Sequence, residues 1–227
     1  WIARNLNQVR GVMVVGSTLL LGLSAWLTWD FMQLRAAGNT DAMVYTDSIV
    51  WFEPLNIAYS VGVDGISVVM LLLSSIIVFT GTFASWQLKP MTKEYFLWFT
   101  LLSTGVYGFF ICTDLFTMFM FYEVALIPMY LLIGVWGSGN KEYAAMKLTL
   151  MLMGGSALLI IGILGIYFFS GATTMNVNEI AAMNKIPGEV QNVLFPFIFI
   201  GLGVLGALLP FHKWSPDGHA SAPTAVP

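Results

Sequence analysis

Charge is scarce in this chain. Only 9% of its 227 residues are charged, against ~25% in soluble domains, so it lacks the groups that coat a globule with water-compatible surface. The lone cysteine, Cys112, excludes an intrachain disulfide framework and any paired-cysteine metal pattern. A net charge of −3, scattered over short loops, leaves no basic patch for nucleic acid. There is no glycine-rich phosphate loop, nucleophile elbow or haem motif. The first apolar run is too long for a signal peptide and has no small-residue cleavage site. The polar opening "WIARNLNQVR" and the close "SAPTAVP" read as the edges of a fragment.

What the chain does have is apolar surface. It is 58% hydrophobic with a mean hydropathy of +0.81, which makes an integral membrane protein the expected class. A bilayer core of ~30 Å needs ~20 helical residues. Six runs meet that need: 11–32, 66–86, 95–113, 115–136, 143–169 and 190–209. They are unbroken apolar blocks, not alternating ten-residue segments, so helices are expected and a barrel is not. The expected fold class is an all-α polytopic membrane protein, with a single transmembrane domain over residues 1–227.

If the helices alternate, Arg4, Arg10, Lys89, Lys93, Lys141 and Lys213 fall on one side, and Arg35 and Lys185 on the other. That split places the first group in the cytoplasm and turns the longer loops, 33–65 and 170–189, outward. Trp86, Trp98, Trp136 and Trp214 stand near predicted helix ends, where indoles favour the headgroup region. Gly154, Gly155, Gly162 and Gly165 suit close helix packing. Asp64, before "GIS", reads as a helix N-cap.

The stretch "TDLFTMFMFYEVALIPMYLLIGVWG" holds the chief anomaly, Glu123. An acid at a membrane helix centre costs ~2.5–3.5 kcal/mol on insertion scales. Glu123 stands roughly 12 Å from one end of its run and about 20 Å from the other, too deep to snorkel easily. It must face protein or a water-filled cavity. A hydrogen-bonded structural carboxyl is one reading, and a proton-relay or ion-site role is the favoured one, because acids at such depth mark pathways. Pro128, five residues on, lacks the N–H that the carbonyl of Val124 would accept, so a kink is expected just past Glu123.

Lys147, about 9 Å into its helix, could snorkel to the cytoplasmic surface or act on Glu123 through water. His212, Lys213, Asp217 and His219 cluster in "PFHKWSPDGHASAPT", where three prolines suggest irregular backbone. Such backbone is tolerated at membrane depth only when buried or lining a cavity. The His-Asp-His set lacks the i, i+4 spacing of a helical metal site, and no metal is expected.

"MFMFYEVALIPMYLLIGVWG" and "PFHKWSPDGHASAPTA", with "VDGIS" and "AAMKLTLMLMGGS", resemble the antiporter-like membrane subunits of respiratory complex I, the NADH:quinone oxidoreductase. The resemblance covers essentially the whole chain. It implies a longer subunit of about fourteen membrane helices, of which these would be roughly the second to the seventh. It implies that Glu123 is the proton-channel glutamate of the family's fifth helix, that Lys147 is the lysine of the sixth, and that the seventh helix is broken near Pro210. Lys213 and His212 are candidates for the proton path. The resemblance also implies that NADH, FMN, iron–sulfur clusters and quinone belong to other subunits, with no cofactor in this chain. The partners implied are the other membrane-arm subunits and the lipid bilayer, in a bacterial inner membrane. Where the family carries a lysine before "PFH", this chain has Leu205. A multisubunit cation/proton antiporter or membrane-bound hydrogenase subunit is the alternative, and a scaffold subunit with a degenerate channel is a third reading.

Overall fold

Long apolar runs become long helices in the computed structural model, which describes residues 6–88, 91–223 and 226. Arg4 and Lys89 of the charge count lie outside the described residues. The helices are α1 (Leu6–Ala36), α2 (Gly65–Ala84), α3 (Thr92–Ile111), α4 (Leu115–Trp136), α5 (Lys141–Phe169), α6 (Val177–Met183), α7 (Gly188–Leu205) and α8 (Trp214–Ser221). Among the described residues, five of these are long and apolar enough to cross a bilayer: α1, α2, α4, α5 and α7. α3, the third of the six expected spans, is more polar, opening on Thr92, Lys93 and Glu94. At 20 residues it still matches α4 in depth, running antiparallel to it from the Tyr95–Trp136 ring contact to the close approach of Gly105 and Ala125.

The loop at 33–65 is more ordered than its polarity suggested. It folds as an antiparallel hairpin of β1 (Val44–Phe52) and β2 (Ile57–Val63), with Ile49 opposite Tyr59 and Val50 opposite Ala58. β-branched and aromatic residues favour this pairing, and Asn56 in the left-handed region (φ 49°) closes its turn. The hairpin lies against the α3–α4 turn. Thr113 N–H donates to the Ser60 carbonyl at 2.9 Å, and Val177 N–H donates to the Thr113 carbonyl at 3.0 Å. That turn is therefore held between β2 and the chain entering α6.

Asp114 anchors this end. It is 1% exposed and caps α4, accepting from the N–H groups of Phe116 and Thr117, both at 3.0 Å. The Thr117 hydroxyl (3.1 Å) and the Ala58 N–H (3.3 Å) complete four donors. Beside it, burial and then the charge of Asp114 push the Cys112 thiol up to about 12, so this cysteine stays a neutral thiol.

Glycine sets the packing of α5 on α7. A Cβ on Gly155 would lie 2.8 Å from Val204 Cβ, one on Gly162 2.5 Å from Ile198 Cγ1, and one on Gly165 2.4 Å from Leu194 Cδ2. Gly201 answers from α7, where a Cβ would meet Leu159 at 2.9 Å. Gly154, grouped with these in the sequence, has nothing within 4 Å of the same position. It lies about 100° round the helix from Gly155 and belongs to the outer face.

Candidate functional site

The last membrane crossing is made in two pieces. α7 stops at Leu205, the chain is irregular over 206–210, a 3₁₀ turn covers Phe211–Lys213, and α8 carries on to Ser221. Both pieces follow α5. Val204 packs at Gly155, and Gly218 lies against Leu148. The Ser138 N–H donates to the Ser221 carbonyl at 2.8 Å, so α8 ends at the α4–α5 loop. The break thus sits near residue 152 of α5, well inside the helical length.

Carbonyls that a continuous helix would satisfy are answered here by other donors. The indole N–H of Trp214 donates to the Val204 carbonyl at 2.9 Å, and the Leu208 N–H to Gly203 at 2.8 Å. Trp214 is only 5% exposed, so its role differs from the headgroup anchor expected from the sequence. It staples the break. Lys213, expected as a loop cation, is instead carried on the same break and exposed there, because α8 continues past it.

Glu123 lies at the same level. Its neighbour Tyr122 donates its hydroxyl proton to the Leu152 carbonyl at 3.1 Å, tying this turn of α4 to the residue of α5 that faces the break. α4 meets α3 through Phe121 and Ala125, and the buried core against α5 through Tyr122, Leu126 and Ile133. Glu123 is about 100° beyond Tyr122, on the stripe shared with Ile127 and Tyr130, which are 62% and 41% exposed. One of its oxygens, Oε1, is nevertheless buried without a hydrogen-bond partner. Pro128, fully buried inside α4, supplies no N–H to the Val124 carbonyl one residue away.

Among the described residues, only three buried side-chain polar atoms lack a partner: Glu123 Oε1, His212 Nδ1 and Arg10 Nε. Two of the three stand at the level of the break. Buried polar atoms normally find partners, in the protein or in ordered water.

Lys147 lies elsewhere. Its ammonium pairs with Asp217 of α8, Nζ to Oδ2 at 2.5 Å, and rests over the Tyr143 ring at 5.5 Å. Ala145 and Leu152 mark the α5 face that meets α4, and Lys147 is about 200° round the helix from Ala145. It is also five residues, roughly 7 Å, nearer the α4–α5 loop than Leu152. The structure therefore does not bring Lys147 and Glu123 together. Asp217 as the lysine's partner was not legible in the sequence, since 70 residues separate the two.

Leu205 ends α7 in an apolar setting. It packs against the cluster of Tyr122, Leu126 and Leu152 and lines a cavity of about 320 Å³ with Phe109, Phe121 and Met129. No charge from α7 enters this cavity. The described residues hold no group of three or more His, Cys, Asp or Glu side chains arranged for a metal.

Residues 112–227, which include α4, the break and α8, match the family described as NADH:quinone oxidoreductase/Mrp antiporter, transmembrane. The chain belongs to that family. Among its relatives, the NADH-quinone oxidoreductase subunit M of Rickettsia bellii is 34% identical over 209 residues, 91% of this chain and 42% of that protein. The NAD(P)H-quinone oxidoreductase chain 4-2 of Synechocystis is 32% identical over 206 residues, 90% of this chain and 36% of that protein. The chain thus spans less than half the length of these relatives. The fold matches a chain of respiratory complex I from Thermus thermophilus at a TM-score of 0.82 and 21% identity, covering 94% of this chain and 43% of that one. It also matches a chain of the Mrp complex from Dietzia sp. at a TM-score of 0.70 and 21% identity, covering 97% and 42%. The broken last helix of this chain and its place beside α5 lie within the residues that match the family.

Proposed function

We propose that this chain is the proton-translocating part of a membrane-arm subunit of a bacterial NADH:quinone oxidoreductase, seated in the inner membrane beside other membrane-arm subunits. It carries no redox centre. NADH, FMN, iron–sulfur clusters and quinone act on other subunits, and this chain moves protons in response. The observation that carries the reading is Glu123, a carboxylate with a buried, unpartnered oxygen at the level of a helix break. A carboxyl group whose oxygen is not engaged by the fold is free to exchange a proton with water or a neighbouring group, which is the property a relay requires.

Glu123 takes and releases the proton. His212, whose Nδ1 is also without a partner, and the exposed Lys213 lie on the route that the break opens. Lys147 supplies a charge that biases Glu123 without touching it. Membrane-bound relatives of other chemistry keep a second reading open: a cation/proton antiporter subunit, favoured by the likeness to the Mrp complex, whose chain this one covers to 42%.

The test is Glu123→Gln in the complete complex, with proton uptake into vesicles measured alongside electron transfer from donor to quinone. Loss of coupled proton uptake in an assembled complex is expected. Unchanged coupling would sink the relay assignment. Uptake that depends on sodium and not on electron flow would favour the antiporter.

A further inference from the structure

We propose that Asp217 is the positioning residue of Lys147, holding its ammonium on the side of α5 away from Glu123 and tying that charge to the far piece of the broken helix. This rests on the proton-relay reading above and adds a residue to it.

The pair at 2.5 Å is the only ion pair among the described residues. Its side chains are 24% and 44% exposed, so it is neither sealed in the core nor free in water. Its two members belong to elements that can part. Lys147 is fixed on α5, a 29-residue helix locked to α7 through glycine contacts. Asp217 is on α8, an eight-residue helix joined to α7 through the irregular 206–210 segment and the Phe211–Lys213 turn.

Three polar contacts seat α8: the Trp214 indole on the Val204 carbonyl, Asp217 on Lys147, and the Ser221 carbonyl on the Ser138 N–H. The first and last are neutral hydrogen bonds. Only the middle one carries charge, and it couples the seating of α8 to the charge on Lys147.

A cation tightly paired with an anion is scarcely felt at a distance, whereas a bare cation acts strongly across a low-dielectric interior. While α8 is seated, Glu123 is screened from Lys147. When α8 lifts, Lys147 is left unneutralised roughly 7 Å along the axis from the level of Glu123. Tyr143 lies beneath the ammonium, and Lys213 precedes Asp217 by four residues at the start of α8. Neither side chain is a carboxylate that could take the place of Asp217.

The experiment uses the complete complex in vesicles and measures protons moved per electron pair, together with thermal stability of the assembled complex. Asp217→Asn should lower coupled proton delivery roughly tenfold, the loss that follows from removing one charge-assisted hydrogen bond. Asp217→Glu should keep coupling within about twofold, because it restores the anion. The reversed pair, Lys147→Asp with Asp217→Lys, separates positioning from clamping. It should restore assembly and stability but leave coupling at the Asp217→Asn level, because the cation then rides on α8. Full coupling in the reversed pair would reduce Asp217 to a clamp and overturn the inference, as would normal coupling in Asp217→Asn. Should Asp217→Asn not assemble, the Glu variant and the reversed pair still decide. Glu123→Gln is run beside them. If it uncouples while the Asp217 variants do not, this inference alone fails; if it stays fully coupled, the relay reading fails and takes the inference with it.

Discussion

Two carboxylates stand nine residues apart on α4 and are treated in opposite ways. Asp114 is buried and receives four hydrogen bonds, from its own first turn and from the hairpin. Glu123 keeps a buried oxygen that receives none. A fully satisfied buried carboxylate holds structure in place, because every donor around it depends on it. An unsatisfied one adds nothing to the fold and stays available for chemistry. On the proposed reading, the two ends of one short segment separate stability from function.

The sharpest way to break that contrast is Asp114→Ala. Four donors lose their acceptor, two of them at a helix cap, and the loss should be about 3 kcal/mol or more, read as a fall in thermal stability in detergent. Next comes Gly162→Ala on the α5–α7 seam. Ile198 cannot withdraw without moving its neighbours, and overpacking of about 1–3 kcal/mol is expected, while Gly154→Ala should be neutral or stabilise by up to ~1 kcal/mol. Trp214→Phe removes the N–H on Val204 and should cost about 1 kcal/mol, with a rise in hydrogen exchange confined to the break.

The smallest effect is at Asp64, the cap of α2. Partial burial opposes its ionisation, but the Ser67 N–H and hydroxyl and the Ile66 N–H win and hold its carboxyl below the usual carboxylate range. Its stabilising contribution is therefore present above that range and fades as pH falls through the lowered value. The stability gap between the wild type and Asp64→Asn should close in acid and stay constant near neutrality. Glu123→Gln completes the comparison: stability unchanged, coupling lost.

The extent of α4 was readable to the residue, because an apolar run between Asp114 and Gly137 has only one way to cross a bilayer. The long α5 was nearly so, and the break near Pro210 followed from family likeness and clustered prolines. The hairpin was missed because its first strand is exposed along almost its whole length and leaves no one-sided alternation to detect. Asp114 falls between the expected runs 95–113 and 115–136 and was assigned no role there, although "TDLFT" carries the signal of a capping acid before an apolar run. Glu123 was legible as an anomaly, since composition alone makes a deep acid conspicuous. Its lack of a partner was not, because that depends on which way each neighbouring helix turns. The pairing of Lys147 with Asp217 needed the three-dimensional path of the broken helix.

The glycine seam has a mechanical consequence. Side chains that interlock resist sliding through their rotamers, whereas α7 is pressed directly on the α5 backbone at Gly155, Gly162 and Gly165 with nothing to disengage. α5 and α7 behave as one beam. Displacement of the last crossing must then be taken up below Leu205, with the Trp214 staple as fulcrum and α8 as the lever arm.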